Sequence, residues 1–135
     1  MKHKPQLTQL ETDRMLRVAR DEAQSNQWAV SIAIVDDGGH LLAFERLDGC
    51  APIATYIATE KARTSALGRR ESGAYESMIN GGRHAFLSAP MLQGMLEGGV
   101  PVLVDGQVVG AVGVSGVMAA QDAQVARKAI SALES

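Results

Sequence analysis

The sequence predicts an α+β fold in one domain over residues 1–135, an antiparallel sheet flanked by helices. Two hairpin signals and the helical patterns around them carry that expectation. Asp105-Gly106 stands between valine-rich runs within Glu97–Gly116, and both residues tolerate the positive φ that a tight type I′ turn requires. Asp36-Asp37-Gly38-Gly39 separates a second pair of apolar runs. Helical periodicity precedes, separates and follows the two hairpins. Antiparallel pairs with helices between them point to a layered α+β sandwich and away from a doubly wound parallel sheet.

Residues 1–6 read as a tail. Thr8-Gln9-Leu10-Glu11 fits a capping box with Leu7 as its hydrophobic staple, so a helix begins there and runs to about Ser25. Its inward stripe is Met15, Val18, Ala19, Glu22 and Ala23. Ala29 to Val35 is a strand, with Val30, Ile32 and Ile34 on one face and the small Ala29, Ser31 and Ala33 with Val35 on the other. That pattern suits a strand covered on both sides, on one of them by something close. His40 to Leu47 completes the first hairpin. A helix from Ile53 to Leu67 follows, ended by Gly68. Ser72 to Met78 forms a short helix, and Pro90 interrupts the segment Arg83–Met95, where Met91–Met95 is a candidate edge strand. In the last hairpin Gly110 and Gly113 interrupt the second valine run, and strand glycines imply close approach of a helix or ligand. A final helix spans Met118 to Leu133, with Asp122 among its inward residues.

Composition narrows the function. A net charge of −2, without a basic run or interleaved aromatics, gives nucleic acid nothing to bind. No apolar run reaches membrane-span length, and the polar opening MKHKPQLTQLETDR is unlike a signal peptide, so the setting expected is cytoplasmic. Cys50 is the sole cysteine, which excludes an intrachain disulfide and a cysteine-based zinc site. There is no His-x-x-x-His, calcium loop, P-loop or dinucleotide fingerprint, and no metal site is expected.

Several blocks carry a family resemblance. Asp37-Gly38-Gly39-His40-Leu41, Arg46-Leu47-Asp48-Gly49, Ala58-x-x-Lys61-Ala62-x-Thr64, Gly98-Gly99-Val100-Pro101 and Asp105-Gly106-x-x-Val109-Gly110-Ala111-Val112-Gly113-Val114-Ser115-Gly116 occur in the order of the GlcG/HbpS family and span nearly the whole chain. The resemblance implies a profilin-like or roadblock-like fold with about five antiparallel strands, and self-association into a dimer or larger homo-oligomer. It also implies a small-molecule ligand, since some members bind haem and another is the C-terminal domain of the PduO proteins of cobalamin metabolism. Two features depart from the family. Gln121-Asp122 keeps one carboxylate where the family usually has an acidic pair, and the first helix carries no histidine, leaving His3, His40 and His84.

Lys61 is the leading candidate site residue, because it falls in the middle of an alanine stripe. A lysine so placed is a base or anion holder, or else a stem crossing the stripe to pair with Asp48 or Asp122. Asp122 is either its counter-charge in a site or a first-turn carboxylate held by the Ser115-Gly116 backbone. Gly98, Gly99 and Ser115-Gly116 offer backbone amides for an anion, or ordinary turns. Arg46 is a ligand contact or a surface ion pair, His84 a loop ligand or a solvated histidine, and His40 structural. Two functions follow: an oligomeric accessory protein binding haem or another tetrapyrrole, or an enzyme of small organic acid catabolism with Lys61 and Asp122 in a small polar pocket.

Overall fold

The computed structural model describes residues 1–134. Its elements are α1 (Gln9–Ser25), β1 (Ser31–Asp36), β2 (Leu41–Arg46), α2 (Ile53–Gly68), α3 (Ser72–Asn80), a 3₁₀ turn (His84–Ser88), β3 (Gly99–Val104), β4 (Gln107–Ser115) and α4 (Ala119–Ser131). The strands form one antiparallel sheet in the order β2-β1-β4-β3. The fold is therefore α+β as expected, with four strands among the described residues where about five were expected.

Met91–Met95 forms no strand. Its backbone is committed elsewhere: the Gly94 amide donates to Thr64 Oγ1 at 3.1 Å, and a Cβ on Gly94 would lie 2.3 Å from the Glu60 carbonyl carbon. The stretch is pressed onto α2, so it cannot line a sheet edge.

Local signals fix the element ends. The Thr8 hydroxyl and the Thr8 amide both donate to the Glu11 carboxylate, the amide at 2.8 Å, and together they hold the Glu11 carboxyl below the usual range. Asp105 and Gly106 have φ of +51° and +75°, as a type I′ turn demands. At the other hairpin the Asp36 carboxylate accepts the Gly38 and His40 amides, both at 2.9 Å. One stop signal is displaced. Gly68 remains in α2, and Arg69 takes the left-handed conformation with φ +57°. Gly68 is there for space, since a Cβ would meet the Tyr75 hydroxyl at 2.2 Å.

The two faces of the sheet pack differently. Ile32, Ile34, Val102, Val112 and Val114 meet Met15, Ala19, Val125 and Ala129 of α1 and α4 in a core of branched side chains. On the other face Ala33, Val35 and Ala111 meet Ala58, Ala62 and Ala66 of α2. Small side chains on both partners let the helix settle close to the sheet, and Gly113 is the contact point: a Cβ there would lie 2.2 Å from the Ala58 carbonyl oxygen. Gly110, on the opposite face, makes room for Leu7. Met118, expected inside the last helix, is exposed and precedes α4.

Candidate functional site

The close seat of α2 places Lys61 against the sheet. Its Nζ donates to the Val114 carbonyl at 3.0 Å and to Asp122 Oδ2 at 3.1 Å. Asp122 lies in the first turn of α4, where its Oδ1 accepts the Val117 amide at 3.2 Å. The two side chains are each 4% exposed. The helices belong to opposite layers, so the lysine reaches past the end of the β3–β4 pair to cross between them. Gly98 leaves that passage open. It has φ +137°, and a Cβ on it would lie 2.7 Å from both Lys61 Nζ and the Val114 oxygen.

Burial pushes the Asp122 carboxyl above the usual carboxylate range, and the charge and hydrogen bond of Lys61 pull it back without cancelling the rise. The α4 dipole favours negative charge at this end. Of the lysine's two readings, the pairing with Asp122 is the one the geometry contains. Asp48 lies elsewhere, in a cleft with Trp28 and Leu47.

Among the described residues the small polar pocket expected around this pair is closed, both side chains being almost fully buried. The Gly99 amide donates to Ser72 Oγ at 2.8 Å, the Val117 amide goes to Asp122, and Gly98 is packed on the lysine. Of the donors expected to cradle an anion, the Gly99 amide is thus spent on the fold and Gly98 is filled by the lysine stem. Ser72, fully buried, also donates to the Leu96 carbonyl and so pins α3 to the chain entering β3. Sequence reading missed Ser72 and Thr64, because a serine or threonine at a helical position carries no local sign of a distant backbone partner.

The remaining candidates separate. Arg46 Nε and Nη2 donate to the Cys50 carbonyl at 3.0 and 2.7 Å, so its guanidinium braces the loop after β2. Ser115 is buried across from Ser31, and Cys50 Sγ lies 3.4 Å from Ser31 Oγ beneath that loop. His84 begins the exposed 3₁₀ turn, and its side chain has no hydrogen bond or ion pair among the described residues. The His40 ring sits 3.0 Å from Asp36 at the hairpin, a structural role. Lys61 and Asp122 are thus the pair that the fold unites. Among the described residues no group of histidine, cysteine and carboxylate side chains is placed to hold a metal ion, and no helix is long and apolar enough to cross a membrane.

Two apolar clefts open on the surface. One, of about 470 Å³, lies between α3, the 3₁₀ turn and the chain before β3, walled by Ile79, Leu87, Leu92, Met95 and Leu96. The second, of about 440 Å³, lies between β2 and α2 and is lined by Leu41, Phe44, Tyr56, Thr59, Glu60 and Gln93. Neither is lined by Lys61 or Asp122.

A four-stranded antiparallel sheet between helical layers, joined by a buried lysine–aspartate tie and carrying apolar surface clefts, defines a small α+β protein suited to binding. The particular family follows from comparison. Residues 7–131 match the family described as haem degrading protein HbpS-like, and the chain belongs to that family. It is 61% identical to Protein GlcG of Escherichia coli (strain K12) over 115 residues, covering 85% of each chain. The crystal structure of Klebsiella pneumoniae protein ORFY is similar with a TM-score of 0.90 and 26% identity, over 99% of this chain and 95% of that one. The crystal structure of a PduOC:heme complex is similar with a TM-score of 0.83 and 26% identity, over 95% of both chains.

Proposed function

We propose that this protein is an oligomeric, cytoplasmic accessory protein that binds a small ligand, and that the ligand is haem or another tetrapyrrole. The observation that carries the reading is the likeness, over 95% of both chains, to a relative crystallised as a heme complex.

Haem requires an apolar slot and an axial donor. The cleft walled by Ile79, Leu87, Leu92, Met95 and Leu96 has the apolar lining. Met95 brings a thioether into that lining, and His84 stands on the same 3₁₀ turn as Leu87 with its ring free of protein partners among the described residues. These residues fit the group. Imidazole or thioether would hold the iron, while the leucines would exclude water from the macrocycle face.

An absorbance titration of the full chain with haemin tests this. The expected result is a sharp Soret band saturating at a fixed stoichiometry, with altered position or intensity in His84→Ala or Met95→Ala. A broad spectrum that never saturates overturns the haem reading. Saturation that is unchanged in both variants moves the ligand away from this cleft.

A further inference from the structure

The outward face of α2 has a pattern that the haem reading does not use. Ile53, Tyr56, Glu60, Arg63 and Leu67 follow one another at spacings of three and four, which places them in one stripe. Ile53 and Tyr56 are exposed, Tyr56 at 72%, and Leu67 is exposed in part. The stripe is therefore apolar at its ends and charged at its centre, one charge of each sign.

That arrangement is self-complementary. Reversing the helix about the midpoint between Lys61 and Ala62 exchanges Tyr56 with Leu67 and Glu60 with Arg63. Opposed charges thus meet, and so do Tyr56 and Leu67, along about 17 Å of helix. Isologous two-fold contacts have this property, each residue finding its complement on the other copy. The charges are also poorly used within one chain. Arg63 Nη1 and Glu60 Oε1 are 3.7 Å apart, too long for a hydrogen bond. Beside Tyr56 lies the second cleft, of about 440 Å³, open where the reversed helix would bring a Leu67 side chain.

We propose that the outward face of α2 pairs antiparallel with the same face of a second copy of this chain about a two-fold axis, Glu60 of each copy meeting Arg63 of the other. Tyr56 of each copy then covers Leu67 of the other, and that leucine enters the cleft beside Leu41 and Phe44. A lipid surface has no use for a carboxylate and a guanidinium at the middle of an apolar stripe, whereas a second copy satisfies both. The inference rests on the oligomeric part of the reading above and names the surface responsible.

Sedimentation equilibrium of the full chain tests it, with Tyr56→Glu, Glu60→Arg, Arg63→Glu and the double exchange Glu60→Arg/Arg63→Glu, each first shown to keep the wild-type circular dichroism spectrum. Each single substitution is expected to weaken the two-fold contact by about tenfold or more. The double exchange restores it, and so does an equimolar mixture of the two oppositely charged single variants. A wild-type chain that stays monomeric at about 100 µM, where contacts of micromolar affinity are filled, overturns both the inference and the oligomeric reading. An assembly that survives Tyr56→Glu and Glu60→Arg overturns the inference alone. So does dissociation that neither the exchange nor the mixture repairs.

Discussion

Lys61 Nζ and Asp122 Oδ2 lie 3.1 Å apart and join two helices on opposite faces of the sheet. The lysine spends a second donor on the Val114 carbonyl, and the aspartate spends its second oxygen on the Val117 amide. Such a pair is costly to break from one side, because the surviving charge stays buried without its partner. Lys61→Met and Asp122→Leu are each expected to lose about 3–5 kcal/mol of unfolding free energy. The double variant should recover much of that loss. Urea unfolding of the four proteins measures the cycle, and single losses under about 1 kcal/mol would remove the tie from the account of stability.

Gly113 lets α2 reach the sheet. Gly113→Ala would put a methyl 2.2 Å from the Ala58 carbonyl oxygen, and neither backbone can yield without moving the helix. A loss of about 3 kcal/mol is expected. Gly82→Ala is a useful contrast: its Cβ meets nothing within 4 Å, so its cost comes from φ +113° alone. If thermal unfolding ranks Gly82→Ala as the worse of the two, the close seat of α2 is not what Gly113 provides.

Arg46 braces the loop that covers Cys50. Its two hydrogen bonds to the Cys50 carbonyl are charge-assisted, of a kind contributing about 1.5–3 kcal/mol. Arg46→Ala should therefore raise local opening, and with it the rate of Cys50 alkylation, by about tenfold or more. Alkylation as slow as in the wild type would show that the loop is held by other means.

Stability should depend on Asp36 at acid pH. Burial raises its carboxyl, but the His40 and Gly38 amides and the His40 ring together outweigh burial and hold it below its usual range. The unfolded chain then binds the proton more readily than the folded one. The contribution of Asp36 is thus present above about pH 4 and lost as pH falls through the folded value. Asp36→Asn should flatten the acid limb of the stability curve. An unchanged slope below about pH 4 would assign that limb to other carboxylates, Asp37 and Glu11 among them.

Much of the fold is legible in local chemistry. The capping box at Thr8, the type I′ turn at Asp105-Gly106 and the two-faced pattern of Ile32 to Val35 are each decided by neighbouring residues, because caps, turns and alternation act over a few positions. The glycine at position 113 is partly legible, since a glycine inside a strand announces close approach without saying by what. The stretch Met91–Met95 was misread because its partner is Thr64, far off in sequence. Gly68 was misread because Tyr75 needs its space more than the helix end needs its flexibility.

The candidate site divides the same way. By itself the sequence determined that Lys61 and Asp122 are both on inward faces, a matter of helical period that each segment settles alone. Only the tertiary structure decided that they meet, that Gly98 opens the passage between them, and that the amides of Gly99 and Val117 are already taken. The reason is physical. A buried ammonium is stabilised by whichever acceptors the packed chain brings within about 3 Å, and those come from strands and helices far apart in sequence.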